Sequence, residues 1–128
     1  MSKEERKKAE ELWARNKYLV LSKSHKYYLS IRDYLKGEDP QVANVKKLID
    51  SAIALAENKK DVVNAYQHIW GYFKDDASPA EKEKFLSLID HYQNDIIAKE
   101  EVLAFLAILL EKYPYDYLQK STIFKEKP

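Results

Sequence analysis

The stretch "NAYQHIWGYFKDDASPAEKEKF", residues 64–85, gathers the side chains best suited to chemistry in this chain: Asn64, Gln67, His68, Tyr72 and Lys74, with Gly71 among them. Placed on a helix at about 100° per residue, Val62, Ala65, Tyr66, Ile69, Trp70 and Phe73 fall on one side. Lys74, Gln67, Gly71, Asn64, Asp75 and His68 fall contiguously on the other, with His68 at the edge beside Tyr72. An imidazole that titrates at about pH 6.5 suits general acid–base work. Nothing near His68 in sequence would orient it, and no carboxylate or second histidine follows at three or four residues to complete a metal pair. His25 and His91 are out of ligand spacing, so no metal is expected.

Gly71 is the oddity of that face. A glycine inside a helix costs about 1 kcal/mol relative to alanine. Two offsets are open: another helix crosses closely there, or a ligand backbone approaches where a Cβ would intrude.

Other chemistries are missing. The sequence has no Gly-rich phosphate loop, nucleophile elbow, HExxH or EF-hand loop. It has no cysteine, which removes disulfides, thiolate zinc sites, cysteine nucleophiles and cysteine-held iron–sulfur clusters. A non-catalytic protein without a cofactor is expected. Aromatics are plentiful, with ten Tyr, four Phe and two Trp. Tyr27 and Tyr28 lie near Lys23, His25 and Lys26, and Tyr113, Tyr115 and Tyr117 cluster late in the chain. Such rings can stack on bases beside cations. More commonly they bridge core and water at helix ends.

The formal charge of +1 conceals an asymmetry. Residues 1–37 hold ten Lys/Arg against five Asp/Glu, whereas the remainder is slightly acidic. A basic first quarter suits a phosphate-rich partner, with Lys23, Lys26 and Arg32 as the residues that would supply affinity. The start "MSKEERKKAEELW" has no apolar core of a secretory signal. The longest apolar run, "VLAFLAILL" at 102–110, is about half the length of a membrane span. A cytoplasmic protein that does not enter a membrane is expected.

These residues must be positioned by helices. Two glycines and four prolines are too few for a β-rich fold. Ser2 with Glu5 suggests a capping box for a helix over 3–21, and Ser24 caps a second that runs to Lys36 and stops at Gly37. Asp39 with Pro40 opens a third to about Glu57, and Asp61 caps a fourth over 62–74. "SPAE" at 78–81 starts a fifth that ends near Gln93 with Phe85, Leu86, Leu88, Ile89 and Tyr92 inward. The sixth, over 99–112, is apolar nearly all round and should lie in the middle. "YDYLQKSTIF" reads as a last short helix or a tail packed by its aromatics. The expectation is an all-α bundle of six to seven helices, one domain over 1–128.

The opening stretch, continued to "LIDHY", resembles the signature of the YbgA-like family, through Asn64, Gln67-His68-Ile69, Gly71-Tyr72-Phe73-Lys74, Ser78-Pro79 and Glu81-Lys82. A weaker likeness runs through Tyr92 and the "DYL" at 116–118, and looser still through Ser24 and Tyr28. The chain departs from that pattern at Lys23, Val62 and Ser121, and in its "EKP" ending. The resemblance implies a small domain of unknown function that also forms the C-terminal half of two-domain proteins resembling thiouracil desulfidases. There it looks like a tRNA-binding module that presents a thiolated uridine. On that basis RNA, most naturally tRNA, is the expected partner, contacted by Lys23, Lys26, Arg32, Asn64, Gln67, His68, Gly71, Tyr72 and Lys74. The alternative is an adaptor that docks a separate desulfidase-type enzyme.

Overall fold

The computed structural model describes residues 3–125, which places the Ser2 cap and the "EKP" ending outside the described residues. The described chain is a bundle of seven α-helices and one terminal 3-10 turn, with no strand.

The spine is the charge-rich first helix, α1 (Lys3–Lys23), which buries residues on two sides. Ala9, Trp13 and Val20 pack with Ile31 and Leu35 of α2 (His25–Leu35) and with Val45, Ile49 and Ala52 of α3 (Val42–Ile53). Tyr18, Leu19 and Leu21 join a larger core built on α4 (Lys59–Trp70), whose Val62, Ala65, Tyr66 and Ile69 point inward. Phe85, Ile89 and Tyr92 of α5 (Pro79–Gln93) and Val102, Leu106 and Leu109 of α6 (Lys99–Lys112) complete it. Leu118 of α7 (Asp116–Gln119) and Ile123 of the 3-10 turn (Thr122–Phe124) close it from below. The turn is tied to the spine, as Thr122 Oγ1 donates to the Arg15 carbonyl at 3.1 Å and lies 2.8 Å from Asn16 Oδ1.

The expectation that α6 is central is corrected. It rests on α4 and α5 with one side to solvent, where Ile108 is 61% exposed. An all-round apolar helix need not be enclosed, because a docked face accounts for only part of its circumference. Leu86, expected inward, is 65% exposed on α5.

Tertiary groups also move the helix ends. α3 starts at Val42, with Gln41 at its N-cap, rather than at Pro40 after an Asp39 cap. The orphan N–H groups at that end are met from afar: Gln41 N donates to the Tyr34 hydroxyl at 2.9 Å and Val42 N to Glu5 Oε2 at 2.8 Å. The helix ends at Ile53, not Glu57. Glu57 instead accepts a hydrogen bond from the Tyr92 hydroxyl, and Lys23 Nζ donates to the Leu55 carbonyl at 3.3 Å, drawing this connection toward α1 and α5. α4 begins at Lys59, because Asn58 is its cap and accepts from Asp61 N at 3.1 Å.

Candidate nucleic-acid interface

Starting α4 three residues earlier than its sequence suggests changes which side chains share its polar face. Lys60 moves onto the helix one turn before Asn64, on the stripe that continues to Gln67 and His68. This stripe forms the floor of two adjoining depressions. One, about 560 Å³ and open, lies between the starts of α2 and α4, lined by Ser24, His25 and Lys26 and by Asn58, Lys60, Asp61 and Asn64. The other, about 450 Å³, runs along α4 toward the end of α5, lined by Lys59, Lys60, Val63, Asn64, Gln67 and Gln93. Lys60 and Asn64 belong to both, so the two make one furrow.

Lys26, Asn64 and Gln67 are therefore brought together, as the RNA reading needs. His68 is exposed one turn beyond Asn64 on the same stripe. Lys26, Lys60, Asn64 and Gln67 make no side-chain hydrogen bond or ion pair among the described residues. Lys59 is occupied: its Nζ donates to the Tyr92 carbonyl at 2.8 Å and to Asp95 Oδ1 at 2.7 Å, 4.1 Å from the Tyr92 ring centroid. It thus caps the C-terminal end of α5 while Lys60, beside it, is free to bind.

The remaining expected residues lie elsewhere. Lys23 reaches the Leu55 carbonyl. Arg32 sits nearly two turns along α2 from His25, its guanidinium 5.9 Å from the Tyr28 ring centroid. Gly71 is not mid-helix: it is the C-cap of α4, with φ −54° and an exposed surface. The close-crossing explanation is corrected, since an added Cβ would meet only the chain's own preceding turn, with the His68 carbonyl oxygen at 3.1 Å. Beyond Gly71 the backbone tightens, Tyr72 N donating to the Ile69 carbonyl at 3.0 Å and Phe73 N to that of Trp70 at 2.9 Å. Phe73 in this segment is fully buried in the core. Lys74 stays exposed on this turn segment.

Tyr72 points away from His68. Its hydroxyl lies 2.9 Å from that of Tyr18, and its ring meets Tyr18 and Tyr115 edge-on at 6.2 and 5.4 Å. Burial and that hydroxyl contact push the Tyr18 phenol above its usual range. The "SPAE" segment is structural too. Ser78 Oγ accepts from Glu81 N at 3.1 Å and Glu81 Oε1 accepts from Ser78 N at 2.9 Å, a complete capping box. Tyr113 and Lys112 donate to the same carboxylate at 2.8 and 3.0 Å, fastening the start of α5 to the end of α6. These bonds, led by that from Ser78 N, lower the Glu81 pKa to about 2. Among the described residues no group of three His, Cys, Asp or Glu is placed to hold a metal ion, and no helix is long and apolar enough to cross a membrane.

A family model described as a protein of unknown function (DUF1722) matches residues 17–128, from the last third of α1 through α7 and the closing turn. The chain belongs to this family. No curated protein and no solved structure matches it. The whole furrow lies inside the DUF1722 region, whereas Glu5, which caps α3, precedes it. The family description assigns no activity, so the resemblance to YbgA-like proteins and their desulfidase partners goes further than the match does. The sequence signal for the furrow was present in "NKKD" at 58–61, which reads as a polar loop until Asn58 is recognised as the cap.

Proposed function

We propose that this DUF1722 domain is a non-catalytic RNA-binding module, with tRNA as its natural partner in support of thiolated-nucleoside metabolism. The observation that carries the reading is the furrow itself. Two unpaired lysines, Lys26 and Lys60, meet where two helices begin, and unpaired amides of Asn64 and Gln67 continue the line. The positive ends of α2 and α4 add to the lysine charges and favour a polyanion. Phosphate contacts by the lysines would supply affinity, and the amides would meet ribose or base edges. A gel-shift titration with total tRNA at low salt tests this. A shift that fades with added salt is expected, and no complex at about 50 µM protein would contradict it.

An adaptor function is the second reading, favoured by the exposed Leu86, Ile96 and Ile108 on and between α5 and α6. Leu86→Ser with Ile108→Ser should then abolish co-purification of a desulfidase-type enzyme while leaving tRNA binding untouched. Retention of the enzyme by this variant would count against the adaptor.

A further inference from the structure

The furrow holds one group that does not suit phosphate. Asp61 lines the depression between α2 and α4, half-buried, and its carboxylate makes no hydrogen bond or ion pair among the described residues. Lys26 and Lys60 line the same depression without pairing to it. A bare anion would be repelled by Asp61, and a metal ion by the two lysines, with a single carboxylate to hold it. A ligand that satisfies all three must present hydrogen-bond donors to the carboxylate and negative charge to the lysines.

A nucleobase within a strand does so if its edge carries donors. Guanine presents two adjacent donors, N1–H and the 2-amino group, which match the two oxygens of a carboxylate. Uracil and adenine present one donor beside acceptors that the carboxylate would repel. The rim supplies a face for the base. The exposed His25 lines the depression, its ring parallel to that of Tyr28 within 9° at 6.2 Å between centroids. Asn58 and Asn64 flank Asp61 and can meet the remaining edge atoms.

Resting on the RNA reading above, we propose that this depression selects an unpaired guanine of single-stranded RNA, with Asp61 reading its Watson–Crick edge, His25 stacking on it, and Lys26 and Lys60 holding the adjacent phosphates.

The test uses the full chain and fluorescein-labelled uridine octamers that carry one central guanosine, inosine, adenosine or uridine, followed by anisotropy at low salt. Inosine lacks only the 2-amino group. The guanosine octamer should bind about tenfold more tightly than the inosine octamer and the others. Asp61→Asn, whose carboxylate makes no structural contact, should bring all four within about twofold while binding uridine no more weakly. Equal, salt-sensitive binding of the four octamers to the unaltered protein would overturn the guanine assignment and leave the RNA reading standing. No binding of any octamer or of tRNA would overturn both. Displacement of the guanosine octamer by an equal concentration of guanosine monophosphate would overturn the strand, because the flanking phosphates would then add nothing.

Discussion

Asn64 and Lys60 occupy the junction of the two depressions, and neither supports the fold through its side chain. Asn64→Ala should therefore weaken tRNA binding severalfold without changing the salt slope, and should leave the unfolding free energy from urea titration within about 0.5 kcal/mol of the parent. Equal binding by the variant would remove Asn64 from the interface. Gly71 makes the opposite case. Its φ of −54° is ordinary for any residue, and the 3.1 Å approach to the His68 carbonyl needs only a small local shift. Gly71→Ala should alter stability by less than about 1 kcal/mol and leave tRNA affinity within about twofold. A large loss of affinity with the fold intact would restore Gly71 as a point of ligand approach. Asn64, Gln67 and Lys26 could be picked from sequence because residue type and helical phase suffice to place them on a polar face. The internal partners of Tyr72 and Lys23 could not be read that way, since Tyr18 and Leu55 lie 54 and 32 residues distant.

Of the helix starts that cap themselves, those of α2 and α5 were readable along the chain and that of α4, where Asn58 sits in a polar run, was not; the start of α3, capped from afar, was not either. Ser24 and the Ser78–Glu81 box meet their own backbone N–H groups, so local pattern locates α2 and α5. The start of α3 depends on Tyr34 and Glu5, and its position is invisible to a local reading. The Glu81 box gives a pH prediction. Its carboxyl titrates at about 2 in the folded chain against an ordinary 4.5, so the unfolded state takes up the proton first as pH falls. The stabilisation is present above pH 4.5 and is lost as pH falls toward 2. Glu81→Gln should lower stability at pH 7 and flatten its decline across this window, read from urea midpoints at stepped pH. An unchanged decline would mean that other carboxylates govern it. The turn after α4 places Phe73 in the core, and Phe73→Ala should cost about 3–5 kcal/mol by the same measurement.

At the scale of the whole molecule, α1 contributes to both core clusters, which should make the chain unfold as one unit. The two tryptophans report on them separately: Trp13 lies in the α1–α2–α3 cluster, and Trp70 packs on the larger one, stacked on Phe85 at 4.7 Å. Trp13→Phe and Trp70→Phe, each leaving one reporter, should give fluorescence transitions that coincide with the loss of helix signal in that same variant. Two separated transitions within one variant would divide the bundle. An all-α bundle was legible from the scarcity of glycine and proline and from helical periodicity, but its centre was not. Periodicity shows how much of a helix is apolar, whereas centrality depends on how many neighbours cover it; hence α1, with its solvated charges, is the spine and α6 lies at the side. The furrow arises at this scale too, because only the packing of both α2 and α4 on α1 brings Lys26 and Lys60 to one depression. The most direct test of its function is tRNA affinity measured against salt concentration for the parent and for Lys26→Ala/Lys60→Ala. Affinity should fall steeply with salt in the parent, with a slope shallower by about two in the variant, one for each phosphate contact removed. Identical slopes, or no binding at low salt, would contradict this.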